Sequence, residues 1–238
     1  MGLVTSGTDG YTLSIDNYLI NAPLSIVEQP VETLTSCEDS TIQISVVLNT
    51  LDSAVELVDS FQWQSSVDGI DWFDITDNPV YSGSNNNTLE INNTPLSFDN
   101  FSFRVIIERE GNGCGVISNP SIILVNPLPI ITIPTPLEEC DNDYDGIDIF
   151  DLSQKTDELL GGQLNVTVSY HESQEDADNA VNAITEPYSN LNSPDSQNIF
   201  VRLEDNETFC YATTTHQSFV INQKYQYHHN HYHTPLME

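Results

Sequence analysis

The sharpest chemical pattern in the sequence is Asp141-Asn142-Asp143-Tyr144-Asp145-Gly146-Ile147-Asp148-Ile149-Phe150-Asp151. Carboxylates at alternate positions followed by a glycine match the opening of a calcium loop, where the glycine turns sharply so that the carboxylates converge and the next residue offers its carbonyl. That residue is Ile147. The position of the closing bidentate glutamate is held by Leu152, so Asp148 or Asp151 is expected to complete the shell, with weaker affinity. The expected Ca²⁺ ligands are therefore Asp141, Asp143, Asp145, Ile147, Asp148 and Asp151. The competing reading is a solvated acidic turn.

Three other groups invite chemistry and are better explained otherwise. His171-Glu172-Ser173 has a base and a hydroxyl, but no nucleophile elbow surrounds it, and Ser173 suits a helix N-cap. With no nucleophile, cofactor or zinc signature elsewhere, the chain is not expected to be an enzyme. Trp63, Trp72 and Tyr81 suggest a sugar platform, yet Trp63 in Phe61-Gln62-Trp63-Gln64 alternates with polar residues as a core tryptophan does. The run Tyr225-Gln226-Tyr227-His228-His229-Asn230-His231-Tyr232-His233 could hold Zn²⁺ or Cu²⁺ adventitiously, but it is foreign to the rest and reads as an artefactual end.

The surroundings of these groups are strongly acidic. Among 238 residues, 36 are Asp or Glu and 5 are Lys or Arg, a formal net charge of −31. Phosphate recognition needs basic side chains, so nucleic acid is excluded as a partner and anionic membranes are disfavoured. Hydrophobic residues make up 38%, enough for folded cores rather than a disordered acidic tail. The sequence contains neither the basic and apolar regions of a secretory signal nor an apolar run long enough to insert in a membrane. Cys37, Cys114, Cys140 and Cys210 lack C-x-x-C spacing and read as disulfides, which belong to an oxidising compartment. Of the three possible pairings, Cys37–Cys114 with Cys140–Cys210 is preferred because it keeps each bridge within one unit; four free thiols are the alternative. An oxidised chain without a signal is expected to be an internal piece of a larger exported protein.

The elements that hold these residues recur. Leu24-Ser25-Ile26-Val27-Glu28-Gln29-Pro30 leads through an apolar stretch to Cys37-Glu38-Asp39, and Ile122-Ile123-Leu124-Val125-Asn126-Pro127 leads through Ile130-Ile131-Thr132-Ile133 to Cys140-Asp141. A third partial copy is Ser218-Phe219-Val220-Ile221-Asn222. Each reads as a last strand, a stiff Pro-containing linker, a first strand and an early cysteine. The expected domains are 1–27 as the tail of an upstream repeat, 28–126, 127–222, and the tail 223–238. The fold class is mainly β, a tandem arrangement of an Ig-like β-sandwich followed by a β-rich domain with one or two short helices. In the first, Thr41–Val46 and Phe101–Ile106 alternate with period two, and Cys37, Trp63 and Cys114 follow the immunoglobulin-like order. In the second, Phe150–Leu160 is helix-like with Gly161-Gly162 as its stop, Val166–Tyr170 and Asn198–Leu203 read as strands, and Ser173-Gln174-Glu175-Asp176 resembles a capping box opening a helix through Ile184.

Phe61-Gln62-Trp63-Gln64-Ser65-Ser66-Val67-Asp68-Gly69-Ile70-Asp71-Trp72, with Tyr81-Ser82-Gly83 and Thr88-Leu89, resembles an Ig-like repeat of large Bacteroidetes surface proteins. Glu139-Cys140-Asp141-Asn142-Asp143, Gly146, Phe150-Asp151-Leu152, Val168-Ser169-Tyr170-His171 and Phe200-Val201-Arg202-Leu203 resemble the companion repeat of the same proteins. Those are giant adhesins exported by type IX secretion. The resemblance implies a cell-surface stalk or adhesive module, with neighbouring repeats of the same chain and an extracellular glycan or other surface ligand as partners; the spacing of the 141–151 loop adds the expectation that Ca²⁺ stabilises it. The alternative is a carbohydrate-binding accessory region of a secreted polysaccharide-degrading enzyme.

Overall fold

The computed structural model describes residues 24–49, 59–109, 115–141, 147–190, 196–214 and 219–225. The chain divides into two compact units, 1–127 and 128–238.

The first unit is an Ig-like sandwich. One sheet runs β2 (Thr33–Cys37), β11 (Ser121–Asn126), β9 (Ser102–Arg109), β5 (Asp59–Ser66) and β6 (Phe73–Asp74), with β10 (Val116–Ile117) also on β9. The facing sheet is β3 (Ile42–Ser45), β8 (Thr88–Ile91) and β7 (Tyr81–Ser82), and β1 (Ile26–Glu28) pairs with β4 (Val47–Leu48) beside it. The period-two pattern read from the sequence governs burial. Ile42 and Ile44 are buried while Gln43 and Ser45 are exposed, and Phe103, Val105 and Ile107 turn inward from β9. Trp63 of β5, fully buried, lies in the core cluster shared by the two sheets. Its indole Nε1 donates to the Asn86 carbonyl at 2.8 Å. Leu24 is part of this core, so residues 24–28 pack with the first unit.

The second unit repeats half of that design. Its sheet runs β12 (Leu137–Asp141), β18 (Phe219–Tyr225), β16 (Ser196–Asp205) and β14 (Val166–His171), with β17 (Tyr211–Thr213) also on β16. In both units the first strand of this path pairs parallel with the last strand of the unit. That last strand then pairs antiparallel with a long strand, which carries a short hairpin partner. A small β13 (Ile149–Phe150) and β15 (Tyr188–Ser189) pair apart from it. A 3₁₀ turn at Leu152–Lys155 leads into α1 (Thr156–Leu160), and α2 is Gln174–Asn179. Mainly β with two short helices is what the composition and pattern predicted.

Two local expectations are corrected. Ile130–Ile133 is not a strand; the first strand begins at Leu137. Pro127, Pro129, Pro134 and Pro136 interrupt the segment and lack the N–H groups a ladder needs. The segment is tied down by side chains and a turn instead: Gln163 accepts from the Ile130 N–H at 2.9 Å and donates to its carbonyl at 2.7 Å. Thr132 N–H donates to Leu159 O at 3.2 Å beside Gly161, whose positive φ and close approach to Thr132 leave no room for a Cβ. The second helix ends at Asn179 rather than Ile184, because Ala180 turns left-handed as its C-cap.

Candidate functional site

The residues singled out for catalysis and sugar binding are occupied structurally. His171 is fully buried, with Nδ1 2.8 Å from the Val181 carbonyl and Nε2 3.0 Å from Ser169 Oγ. Ser173 caps α2, accepting from Asp176 N–H and donating to its carboxylate, which holds that carboxyl below the usual range. Trp63 is in the core. Tyr81 stacks on Phe98 with ring centres 5.8 Å apart, and burial pushes its hydroxyl up to about 12. Trp72 is half-buried, and the Arg104 guanidinium covers one ring face at 4.1 Å.

Of the expected calcium ligands, Asp143 and Asp145 lie outside the described residues, as does the side chain of Asp141. Ile147, Asp148 and Asp151 are described. The Asp148 backbone N–H donates to Asn190 Oδ1 at 2.8 Å, and its Oδ1 accepts from Ile149 N–H. Asp151 caps the following 3₁₀ turn through Ser153 N–H at 3.1 Å. Among the described residues no cluster of three acidic, histidine or cysteine side chains could hold a metal ion.

The cysteines depart from the expected pairing. Cys37 and Cys210 are disulfide-bonded, whereas Cys140 carries a free, exposed thiol, so Cys140–Cys210 is not a bridge. Cys114 lies outside the described residues. Strand direction explains why pairing within the second unit fails. Cys140 stands opposite Lys224, near the end of β18, and Asn222 of β18 stands opposite Ser196, where β16 begins. Cys210 lies just beyond the other end of β16, where its carbonyl accepts from Asp205 N–H at 2.9 Å. At about 3.3 Å per residue, ten-residue β16 separates the two cysteines by roughly 30 Å. A disulfide spans at most about 7 Å between Cα atoms.

Each bonded cysteine is fixed by a tight turn. After Cys37, Asp39 takes a left-handed φ of 62°, its N–H donates to Thr94 O at 2.9 Å, and Glu38 N–H donates to Asn126 O at 2.8 Å. This places Cys37 beside the end of β11. Before Cys210, one carboxylate oxygen of Asp205 accepts from Thr208 N–H at 2.8 Å and Glu207 N–H at 3.0 Å, and these bonds hold its carboxyl below the usual range. The same turn sets Phe209 at a φ of 59°, a rare conformation for a bulky residue, and leaves Cys210 fully buried.

Sequence reasoning did not anticipate the work of the few basic side chains. Arg109 forks onto Asp59 with bonds of 2.6 and 3.0 Å, closing one end of the first core. Lys155 reaches Thr135 at 2.7 Å and Glu158 at 2.9 Å, fastening the linker to α1. Arg202 donates to the carbonyls of Ala177 and Asp178 at 3.3 and 3.2 Å and to Glu204, with its guanidinium 3.3 Å over the Tyr211 ring. Their scarcity is the signal that could have pointed to them: each cation in so acidic a chain faces many candidate partners.

No characterised protein matches the chain in sequence. Among solved structures, a titin fragment of domains I67–I69 is similar at 12% identity and a TM-score of 0.36, over 86% of this chain and 66% of the fragment. The N-terminal Ig1-2 module of the Drosophila receptor protein tyrosine phosphatase DLAR is similar at 11% identity and 0.33, over 87% and 100%. Three N-terminal domains of the outer capsid protein Hoc of bacteriophage RB49 are similar at 15% and 0.36, over 43% and 40%. Among the described residues, no helix is long and apolar enough to cross a membrane. Residues 136–225, the second unit from its first strand to its last, match the family described as the Flavobacterium inter-domain disulphide bond domain.

Proposed function

We propose that this chain is a stalk segment of an exported surface adhesin, in which consecutive units are joined by a Cys37–Cys210 disulfide. The observation that carries the reading is the bonding state: Cys37 and Cys210 are both bonded, Cys140 is not, and one remaining cysteine cannot serve both. Chain direction supports it. The first unit ends at Asn126 on β11, beside Cys37. The second begins with Ile130 held by Gln163, just before β14 starts opposite Asp205, at the end of the sheet that carries Cys210. Within the first unit Cys37 lies beside the strand on which the chain leaves, and within the second Cys210 lies at the end of the sheet near which β14 starts. The family description of residues 136–225 fits the same arrangement. Disulfides belong to oxidising compartments, in keeping with an extracellular or cell-surface site.

The mechanical meaning of such a bond is specific. Pulled from its ends, the chain would transmit load through the sulfur–sulfur bond, and the residues between Cys37 and Cys210 would carry none. Single-molecule extension of the oxidised chain is expected to show no unfolding of that segment. After reduction, unfolding should release the roughly 170 residues between the cysteines, about 60 nm of contour at up to about 3.6 Å each. Equal contour length in both states would refute the lock.

We further propose that the 141–151 loop binds Ca²⁺ and stabilises the second unit. What supports this is the ligand spacing together with the crowding of five aspartates into eleven residues, which repel one another without a cation. A hundredfold excess of calcium over Kd is expected to raise stability by about 2.7 kcal/mol. The check is thermal unfolding of the full chain in EGTA and in millimolar calcium, with Asp143→Ala and Asp145→Ala alongside. A melting temperature indifferent to calcium would leave a solvated acidic turn, and equal stabilisation by magnesium would indicate charge screening. A glycan-binding role would rest on Trp72, since Trp63 and Tyr81 are packed inside; with Arg104 over its face, Trp72 does not favour it.

A further inference from the structure

We propose that the first unit binds an extended basic segment of another protein as an added strand on the free edge of β3, with a threonine of that segment seated in a cavity against Ser121. Three features of one place carry this: an uncovered strand edge, a cavity beside it and a buried hydroxyl without a partner. β3 ends the strand order of its sheet. Val46 N–H donates to Asn87 O at 3.0 Å, and an antiparallel ladder alternates, so Ile42 and Ile44 bond to β8 while Gln43 and Ser45 turn their N–H and carbonyl groups to the free side. No described residue bonds those groups. One step further along the same edge, β1 covers it: Glu28 pairs with Val47, and the chain then leaves at Gln29-Pro30 to join the other sheet as β2. A strand added opposite Gln43–Ser45 would continue the line that β1 gives up. An open edge is a template for such pairing, in which main-chain bonds give affinity and pockets for alternate side chains give specificity.

Behind the edge lies a cavity of about 150 Å³. Gln43 and Ser45 line it together with Val31, Leu34, Ile44 and Glu28, and Ser121 lines it from the other sheet. Ser121 points inward from β11, as Ile123 and Val125 do; it is 1% exposed, and its Oγ has no hydrogen-bond partner among the described residues. Buried hydroxyls are ordinarily paired, so this one points to a ligand group that pairs it. Residues directly opposite in a sheet share a face. The residue opposite buried Ile44 would therefore point into the cavity, while those opposite exposed Gln43 and Ser45 would point to solvent. The volume suits a side chain no larger than about a benzene ring. Ser121 favours a hydroxyl there, and threonine adds the β-branch that suits a strand. The outward neighbours meet Glu28 and Glu90, whose Oε2 accepts from Gln43 at 2.8 Å, so lysine or arginine fits beside them. A net charge of −31 selects between occupants: it repels a second copy of this chain and attracts a basic segment.

The test is NMR titration of the full chain with a short blocked peptide alternating lysine and threonine. Saturable shifts and slowed hydrogen exchange are expected at the Gln43 and Ser45 amides, with contacts from a threonine methyl to Ile44 and Ser121. Tryptophan in place of the threonines, too large for the cavity, should weaken binding about tenfold or more. Valine, of the same shape without the hydroxyl, should weaken it about fivefold, and Ser121→Ala should abolish that preference. Ser45→Pro, which removes an edge N–H that β8 does not use, should abolish binding while leaving the β8 amides protected. Equal affinity for a lysine–glycine peptide of the same charge would show general attraction to an acidic surface and overturn the proposal. Absence of protection at Gln43 and Ser45 at millimolar peptide, or a threonine-over-valine preference that survives Ser121→Ala, would overturn it as well.

Discussion

Replacing Trp63 with alanine is expected to cost the first unit about 3–5 kcal/mol, the range for emptying a large aromatic site in a packed core. The indole has no exposed surface and lies in the cluster that holds Ile44, Leu89, Ile91, Phe103 and Val105. Its backbone is held by neighbouring segments, because Trp63 N–H donates to Ser84 O at 3.0 Å and its carbonyl accepts from Ile75 N–H at 2.9 Å. The backbone is thereby held in place, so the cavity should collapse little. Trp63→Phe should cost less, since it keeps an aromatic ring and deletes the 2.8 Å bond to Asn86. Hydrogen exchange of the full chain reads the outcome at the β3, β5, β8 and β9 amides. A Trp63→Ala loss below about 1 kcal/mol would mean that the surrounding side chains close over the gap, which a core of interior density does not permit.

That tryptophan was readable in the sequence because a half-buried strand writes its faces alternately, and Gln62 and Gln64 flank it. The same rule recovered β3 and β9. It did not find β12, where Leu137-Glu138-Glu139-Cys140-Asp141 has a single apolar residue and is held by parallel pairing with β18 across most of the second unit. Local periodicity carries no information about such a distant partner. The cysteines show the same division. Their recurrence marked the two units, but preferring bridges within a unit assumed that cysteines in one unit lie near one another. Strand direction decides that, and in the second unit it puts Cys140 and Cys210 at opposite ends of β16. The Ser173 cap was legible because it needs only residues within one turn, and the roles of Arg109 and Arg202 were not, because their partners are strands away in sequence.

Arg202→Ala is expected to destabilise the second unit by about 3 kcal/mol, because it removes a buried side chain that ties α2 to the sheet from several directions at once. Arg202 is 7% exposed and stands on β16 opposite Ser169 of β14. Its Nη1 donates to Ala177 O and Asp178 O in the last turn of α2, where Ala177 O also accepts from Ala180 N–H at 3.4 Å and where a positive charge is favoured. Its Nε and Nη2 both reach Glu204 Oε2, at 3.0 and 2.6 Å, and the guanidinium stacks on Tyr211 of β17. Alanine would remove the Arg202 bonds to both carbonyls, leaving Ala177 O with its 3.4 Å bond from Ala180 N–H, and would take from Glu204 its partner in an already acidic surface. Arg202→Met separates packing from charge: it keeps the aliphatic stem against the sheet and should recover only part of the loss. Arg202→Lys restores the charge but not the planar fork, so it should also fall short of the wild type. Denaturant unfolding of the full chain, with hydrogen exchange at α2, β16 and β17 amides, reads all three variants. If lysine and arginine proved equivalent, net charge rather than the fork would be holding the helix. If all three variants matched the wild type, α2 would be anchored by Ala177, the Ser173 cap and the bonds of Gln174 and Asp178 to Thr213.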